Sequence, residues 1–216
     1  YFRGYFKPRK FNGRIGYDVL NSLQLAEYEH QEQGSTVSGQ MELAPNSPKH
    51  TAVGTTSNQQ GLIQSIGGGY GRGSSYELET TFDADNGSYG IMFDIFALKP
   101  IVVLGFDIHT SSISDDILVE VYHKEGTHVG FEEKDANKSW KKIQHGSVTG
   151  RGEGNPTPLP NLLSPLIVPE GSEVGIFITL TTREQRYTNG VRTGKVTVSN
   201  NALQILQGTG IGAHIF

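Results

Sequence analysis

The stretch Gly90–His123 constrains this chain more than any other. It reads GIMFDIFA, LKP, IVVLGFDIHT, SSISDD, ILVEVYH, three dense apolar runs divided by short breaks. Each run has the length of one strand, is rich in β-branched and aromatic residues, and is too short for a typical helix. In the second run Ile101 and Val103 alternate with Val102, Leu104 and Phe106, so both faces are apolar. In the third, Ile117, Val119 and Val121 share one face and Glu120 takes the other. A strand apolar on both faces lies inside packed layers, and one that alternates borders water. Such runs predict an all-β chain, an antiparallel β-sandwich.

Further strand-like segments follow at Tyr76–Phe82, His128–Phe131, Trp140–His145, Leu163–Val168, Val174–Thr182, Lys195–Ser199 and Leu203–Leu206. Asp85-Asn86-Gly87, Lys99-Pro100, Glu125-Gly126, Pro169-Glu170-Gly171 and Asn189-Gly190 supply the turns between them. Short strands with regular turns predict a sandwich or jelly roll over residues 76–216, and the 28 glycines of the 216 residues suit so many turns. Within it, GRGEGNPTPLP at 150–160 carries three prolines, which set an extended loop barred from a central strand.

The first 75 residues read differently. Residues 1–34 form a basic, aromatic arm, an irregular extension to the sandwich, in which Tyr1, Phe2, Tyr5, Phe6 and Phe11 interleave with Lys7, Arg9, Lys10 and Arg14. An arm this aromatic is seldom left in water, so these five aromatics are expected to make contacts between subunits. From Asp18 to Gln33 the spacing of Val19, Leu23, Ala26 and His30 suits a short helix with Asp18 as its N-cap, and a strand at Leu23–Tyr28 is nearly as good. Residues 35–75 are rich in glycine, serine and threonine and read as a linker.

The net charge of −4 gives no reason to expect nucleic acid. No apolar run approaches the roughly 18 residues a membrane helix needs, so no membrane span is expected. There is no cysteine, hence no disulfide framework and no thiol chemistry. The opening at Tyr1, without an initiator Met or a visible signal peptide, suits a processed mature form or a fragment.

The series MFDI (92–95), VVLGFDIHT (102–110), VEVYHKEGTHVGFE (119–132), Trp140, GNPTPLP (154–160), VPEGSEVGIFITLTT (168–182), RYTNG (186–190) and LQILQGTG (203–210) resembles a β-sandwich module repeated in large secreted proteins of diatom-type microalgae and marine microbes. The likeness covers about residues 81–210. It implies an extracellular or cell-surface module and says little about chemistry.

Candidate sites are few. Asp83, Asp85 and Asn86 make an oxygen-rich turn of the kind calcium takes, although the EF-hand spacing fails and an Asx turn is the commoner use of such residues. His109, His123 and His128 could form a zinc site only if their strands bring them together. Arg186, Tyr187, Asn189 and Trp140 have the chemistry to bind sugar hydroxyls and stack on sugar rings, against the commoner roles of turn residues and, for a lone Trp, of core filling. Asp94 with Asp107 or Glu120 could be spaced as a glycosidase pair, but carboxylates inside strands are more often structural. No nucleophile elbow, phosphate loop or H-E-x-x-H motif occurs. The sequons at Asn86 and Asn137 would carry glycans in a eukaryotic secretory route. The chain therefore reads first as a non-catalytic structural or adhesive module that assembles with like or unlike protein subunits. It reads second as a carbohydrate-binding module for polysaccharide with a rim calcium, and third as a glycan-active enzyme.

Overall fold

In the computed structural model, residues 5–35, 76–84, 86–132 and 139–212 are described. Two compact units divide the chain: Tyr1–Val19 with Ser74–Phe216, and Leu20–Gly73. The first unit is an antiparallel sandwich of two sheets, as the apolar runs predict.

Its strands are β1 (Tyr5–Phe11), β2 (Gly13–Val19), β3 (Tyr76–Glu79), β4 (Asn86–Ser88), β5 (Gly90–Ala97), β6 (Ile101–His109), β7 (Ile117–Glu125), β8 (Lys141–Val148), β9 (Pro156–Pro158), β10 (Leu166–Val168), β11 (Glu173–Leu180), β12 (Gln185–Asn189), β13 (Val196–Ser199) and β14 (Leu203–Ile211). The larger sheet runs β4-β12-β1-β14-β5-β11-β7-β8, with β13 also on β14; the smaller runs β10-β6-β2-β3, with β9 also on β6. Between the sheets lies the main core. It takes Ile91, Phe93, Ile95 and Ala97 from β5, Ile117, Val119 and Val121 from β7, and Val174, Ile176, Ile178 and Leu180 from β11. The period of two in each strand is the reason these residues share that face.

The N-terminal arm is the main correction to the sequence reading. Residues 5–19 are no extension: β1 lies between β12 and β14, and β2 lies between β6 and β3. Phe11, expected at a subunit contact, is fully buried and stacks on Phe93 at a ring separation of 4.3 Å. Tyr5 and Phe6 belong to β1 and pair by backbone with Ile211 and Gly210, whereas Tyr1 and Phe2 lie outside the described residues. Two of the cations interleaved with these aromatics have partners within the sandwich. Arg9 lies over the ring of Tyr187, and Arg14 pairs with Asp107 and Glu77 on the far face of the smaller sheet. Asn12 pins the corner where the chain changes sheets: its Oδ1 accepts hydrogen bonds from the amide and hydroxyl of Thr188, each at 3.0 Å. Gly13 follows because a Cβ there would stand 2.3 Å from the Asp107 carbonyl oxygen and 2.4 Å from the Phe11 ring.

In the second unit the described element is helix α1 (Ser22–Ser35). Its cap is Asn21 and not Asp18, which belongs to β2. Asn21 Oδ1 accepts from the amides of Leu23 and Gln24, and Gln24 Oε1 accepts from the Asn21 amide, a reciprocal capping box. The linker expected at 35–75 lies, beyond Ser35, outside the described residues.

Two smaller corrections concern strands. His128–Phe131 is a turn and not a strand. The proline loop does contribute β9, yet among the described residues β9 pairs with β6 alone and so occupies an edge, a position that tolerates proline.

Candidate functional site

The outward face of the larger sheet carries a second apolar cluster, Met92, Tyr122, Trp140, Phe177 and Ile211, with Phe131 packed against it. These residues alternate with the inward set on β5, β7, β11 and β14. That is why β5 and β11 are buried on both faces. Beside this cluster, one row of paired positions crosses the sheet: Lys124 on β7, Gly175 on β11 and Asp94 on β5. Gly175 leaves a gap between a cation and an anion. The start of the β7–β8 connection, Gly126–Glu132, fills that gap. A Cβ on Gly175 would stand 3.1 Å from the His128 amide nitrogen and 3.3 Å from the Gly126 carbonyl oxygen.

Asp94 holds this strap from one side. Its Oδ1 accepts from the His128 amide and from His128 Nδ1, both at 2.8 Å, and its Oδ2 accepts from the Thr127 hydroxyl at 2.7 Å. On the far side of the imidazole, Nε2 lies 3.3 Å from Thr209 Oγ1. Lys124 holds the strap from the other side: its ammonium donates to the Glu125 and Thr127 carbonyls and lies 4.1 Å from the centre of the Phe131 ring. Trp140 closes the far end, its Nε1–H donating to the Phe131 carbonyl at 3.3 Å and its ring edge-on to Phe177.

Asp94, His128 and Thr209 have the connectivity of an acid–base relay, but all three are sealed, at 1%, 0% and 0% exposure. Burial works to raise the Asp94 carboxyl, yet the hydrogen bonds and charge of His128 and the Thr127 bond outweigh it and hold the group below the usual carboxylate range. Glu173 lies on the same face of β11, two residues from Gly175, and is pushed up by burial first and then by the charge and hydrogen bond of Asp94. The arrangement fastens a loop.

A second polar group sits at the rim, where β4 pairs with β12 and places Asn86 beside Tyr187 and Gly87 beside Arg186. The two sets of residues singled out in the sequence therefore meet. Arg186 pairs with Glu153 of the glycine- and proline-rich loop. His109 accepts a 3.0 Å hydrogen bond from the Gly154 amide at Nε2, which places the proton of the neutral ring on Nδ1. Burial and then Arg186 lower its basicity, opposed by Glu153 and Asp83.

The expected sugar-stacking residues fare unevenly. Trp140 and Tyr187 are buried in the two clusters, so neither presents a face to solvent, while Asn189 is exposed and Arg186 is engaged with Glu153. Of the calcium set, Asp83 is exposed, Asn86 lies in β4, and Asp85 lies outside the described residues. No group of three His, Cys, Asp or Glu able to hold a metal occurs among the described residues. Of the three histidines weighed for zinc, His109 meets Gly154, His128 meets Asp94, and His123 on β7 pairs by backbone with Lys141. Asp107 and Glu120 are engaged with Arg14 and Lys142. The sequon at Asn86 falls on β4, and that at Asn137 lies outside the described residues.

Thr127, Glu173 and Thr209 escape a sequence reading. The available signal is Gly175, a glycine inside an otherwise apolar strand, which marks the close approach of another backbone. By fold the molecule is an all-β sandwich with a strap pinned to one outer face. Comparison of the chain with protein-family models, with curated proteins and with solved structures finds no match.

Proposed function

We propose that this chain is a non-catalytic structural or adhesive module of an extracellular assembly, joined to further copies of itself along its β8 edge. One observation carries the reading. Among the described residues β8 pairs with β7 alone, and exposed leucines flank it. Leu118 (54% exposed) stands on β7 opposite Ser147, and Leu163 (64% exposed) donates its amide to the Ile143 carbonyl. The Leu163 amide takes the Ile143 carbonyl, and the rest of this edge, with apolar side chains beside it, favours strand-to-strand association, which Lys141 and Lys142 guard at one end only. Support for an extracellular setting comes from the resemblance of residues 81–210 to modules of secreted algal and marine microbial proteins. Of the N-terminal aromatics, Phe11 is buried in the core and so takes no part in this association.

The test is light scattering of the eluting protein across a wide concentration range, with the double variant Leu118→Lys, Leu163→Lys as control. Concentration-dependent oligomers in the parent and monomer in the variant are expected, with unchanged far-UV circular dichroism in both. A parent that stays monomeric at every concentration overturns the proposal.

The rim favours a second reading, polysaccharide binding, because Asp83, Asn86, Arg186 and Glu153 gather hydroxyl-binding groups there. A glycan array with and without chelator tests it and the rim calcium together. No glycan bound in either condition removes it.

A further inference from the structure

We infer that two copies of the chain join through β8 about a two-fold axis at Gly146, with His145 of each strand opposite the partner's Ser147, so that their larger sheets continue into one another and the association closes at two. This pairing presupposes association through β8, as proposed above, and fixes its register and symmetry.

The direction of the backbone groups on β8 follows from its neighbours. Leu118 of β7 gives its carbonyl to the Thr181 amide, so Leu118 and Glu120 turn their backbone groups toward β11, and Ile117, Val119 and Val121 turn theirs toward β8. Val148, Gly146 and Gln144 stand opposite those three and answer across the ladder. That leaves His145 and Ser147 with amides and carbonyls aimed away from the sheet. Ile143 obeys the same alternation, and its outward carbonyl is the one that the Leu163 amide takes. The side chains of His145 and Ser147 are exposed, and among the described residues neither backbone has a partner on the outer side.

Two outward positions select the register, because an antiparallel pair exchanges its bonds at every second residue. An axis at Gly146 sets His145 against the partner's Ser147 on both sides of the seam and uses every outward group. An axis at His145 sets Ser147 against the partner's Ile143, whose carbonyl is taken. An axis at Ser147 sets His145 against the partner's Thr149, past the end of β8 at Val148. Gly146 suits the axis. Residues there face each other at the close spacing of a pair without hydrogen bonds, ~4.5 Å between Cα atoms, and a Cβ would also press on Pro160 Cγ at 3.3 Å. Beside it lies Gln144, fully buried, with neither amide atom hydrogen-bonded and Nε2 3.7 Å from the same Cβ position. An amide left unpartnered within its own chain points to a neighbour at this place. Leu118, opposite Ser147, comes near the partner's His145, and Leu163 sits where the partner's strand departs. The far edge of the larger sheet is no substitute, since β4 has three residues against the eight of β8. Like edges joined by a two-fold close at two, whereas unlike edges propagate.

The chain has no cysteine, so introduced thiols report the seam alone. His145→Cys and Ser147→Cys are each made alone, with Lys141→Cys as a distant control; all three positions are exposed. Each protein, and an equimolar mixture of the first two, is oxidised with copper–phenanthroline, and dimer is read on non-reducing gels. Opposed residues approach the Cβ spacing a disulfide needs and diagonal ones exceed it, so the mixture is expected to link about threefold or more faster than either protein alone, and the control slowest. Linking in either protein alone that matches the mixture, or light scattering of the parent that grows past a dimer, overturns the inference. Those outcomes leave association through β8 standing, while a parent that is monomeric at every concentration removes both.

Discussion

Asn12 and Phe11 show how a short polar segment can be committed to an interior. Phe11 fills the core against Phe93, and Asn12 next to it binds Thr188 twice, so consecutive residues secure the larger sheet and the corner. Truncating Phe11 removes a fully buried ring, and Phe11→Ala is expected to cost about 3–5 kcal/mol in urea or guanidinium unfolding. Asn12→Ala leaves the Thr188 amide and hydroxyl without their acceptor and is expected to cost roughly 1–3 kcal/mol in the same measurement. Thr188→Val removes only the hydroxyl of that pair and keeps the amide bond to Asn12 Oδ1, so a smaller cost separates one bond of the pin from both. Equal costs for the two substitutions would show that the amide bond adds nothing to the corner.

At the scale of elements, β1 and β2 each have neighbours on both sides. Removing residues 1–19 therefore takes an inner strand from each sheet and exposes the edges of β12, β14, β6 and β3. The truncated chain is expected to lack a cooperative thermal transition by circular dichroism, where a detachable arm would leave a transition near that of the full chain. The same elements show what a sequence makes legible. The strands β5, β6, β7 and β11 announce themselves because their apolar runs are long and β-branched. The strands β1 and β2 do not, because Lys7, Arg9, Lys10 and Arg14 interrupt the alternation of Phe11, Ile15 and Tyr17, and their partners lie about 60 to 200 residues away along the chain. The site was hidden for the same reason. Asp94 finds Thr127 and His128 only once β5, β11 and β7 lie side by side, and no local spacing encodes that row. The rim was half legible: Asp83, Asn86 and Arg186 were each visible, but not their meeting.

For the whole molecule, the decisive fact is that the sheet closes with the last strand. β14 lies between β1 and β5, so the first and last strands of the sandwich pair directly near the middle of the larger sheet. The chain must be almost complete before that sheet can form, and the entropy of closing so long a loop comes before the contacts that offset it. Local pairs exist, such as β7 with β8, but none joins β1 to its sheet without β12 and β14. Refolding from denaturant is accordingly expected in the slow range for all-β topologies, roughly milliseconds to seconds, by stopped-flow fluorescence of Trp140. Ending the chain after Ser199 tests the dependence. It leaves all of β1–β13 yet strips β1, β5 and β13 of their shared partner, and the product is expected to stay unfolded by hydrogen exchange, with β5 and β11 as open as the rest. A truncated chain whose β5–β11–β7 ladder is protected would show instead that this half of the sheet folds alone, and that β14 and β1 dock onto it afterwards.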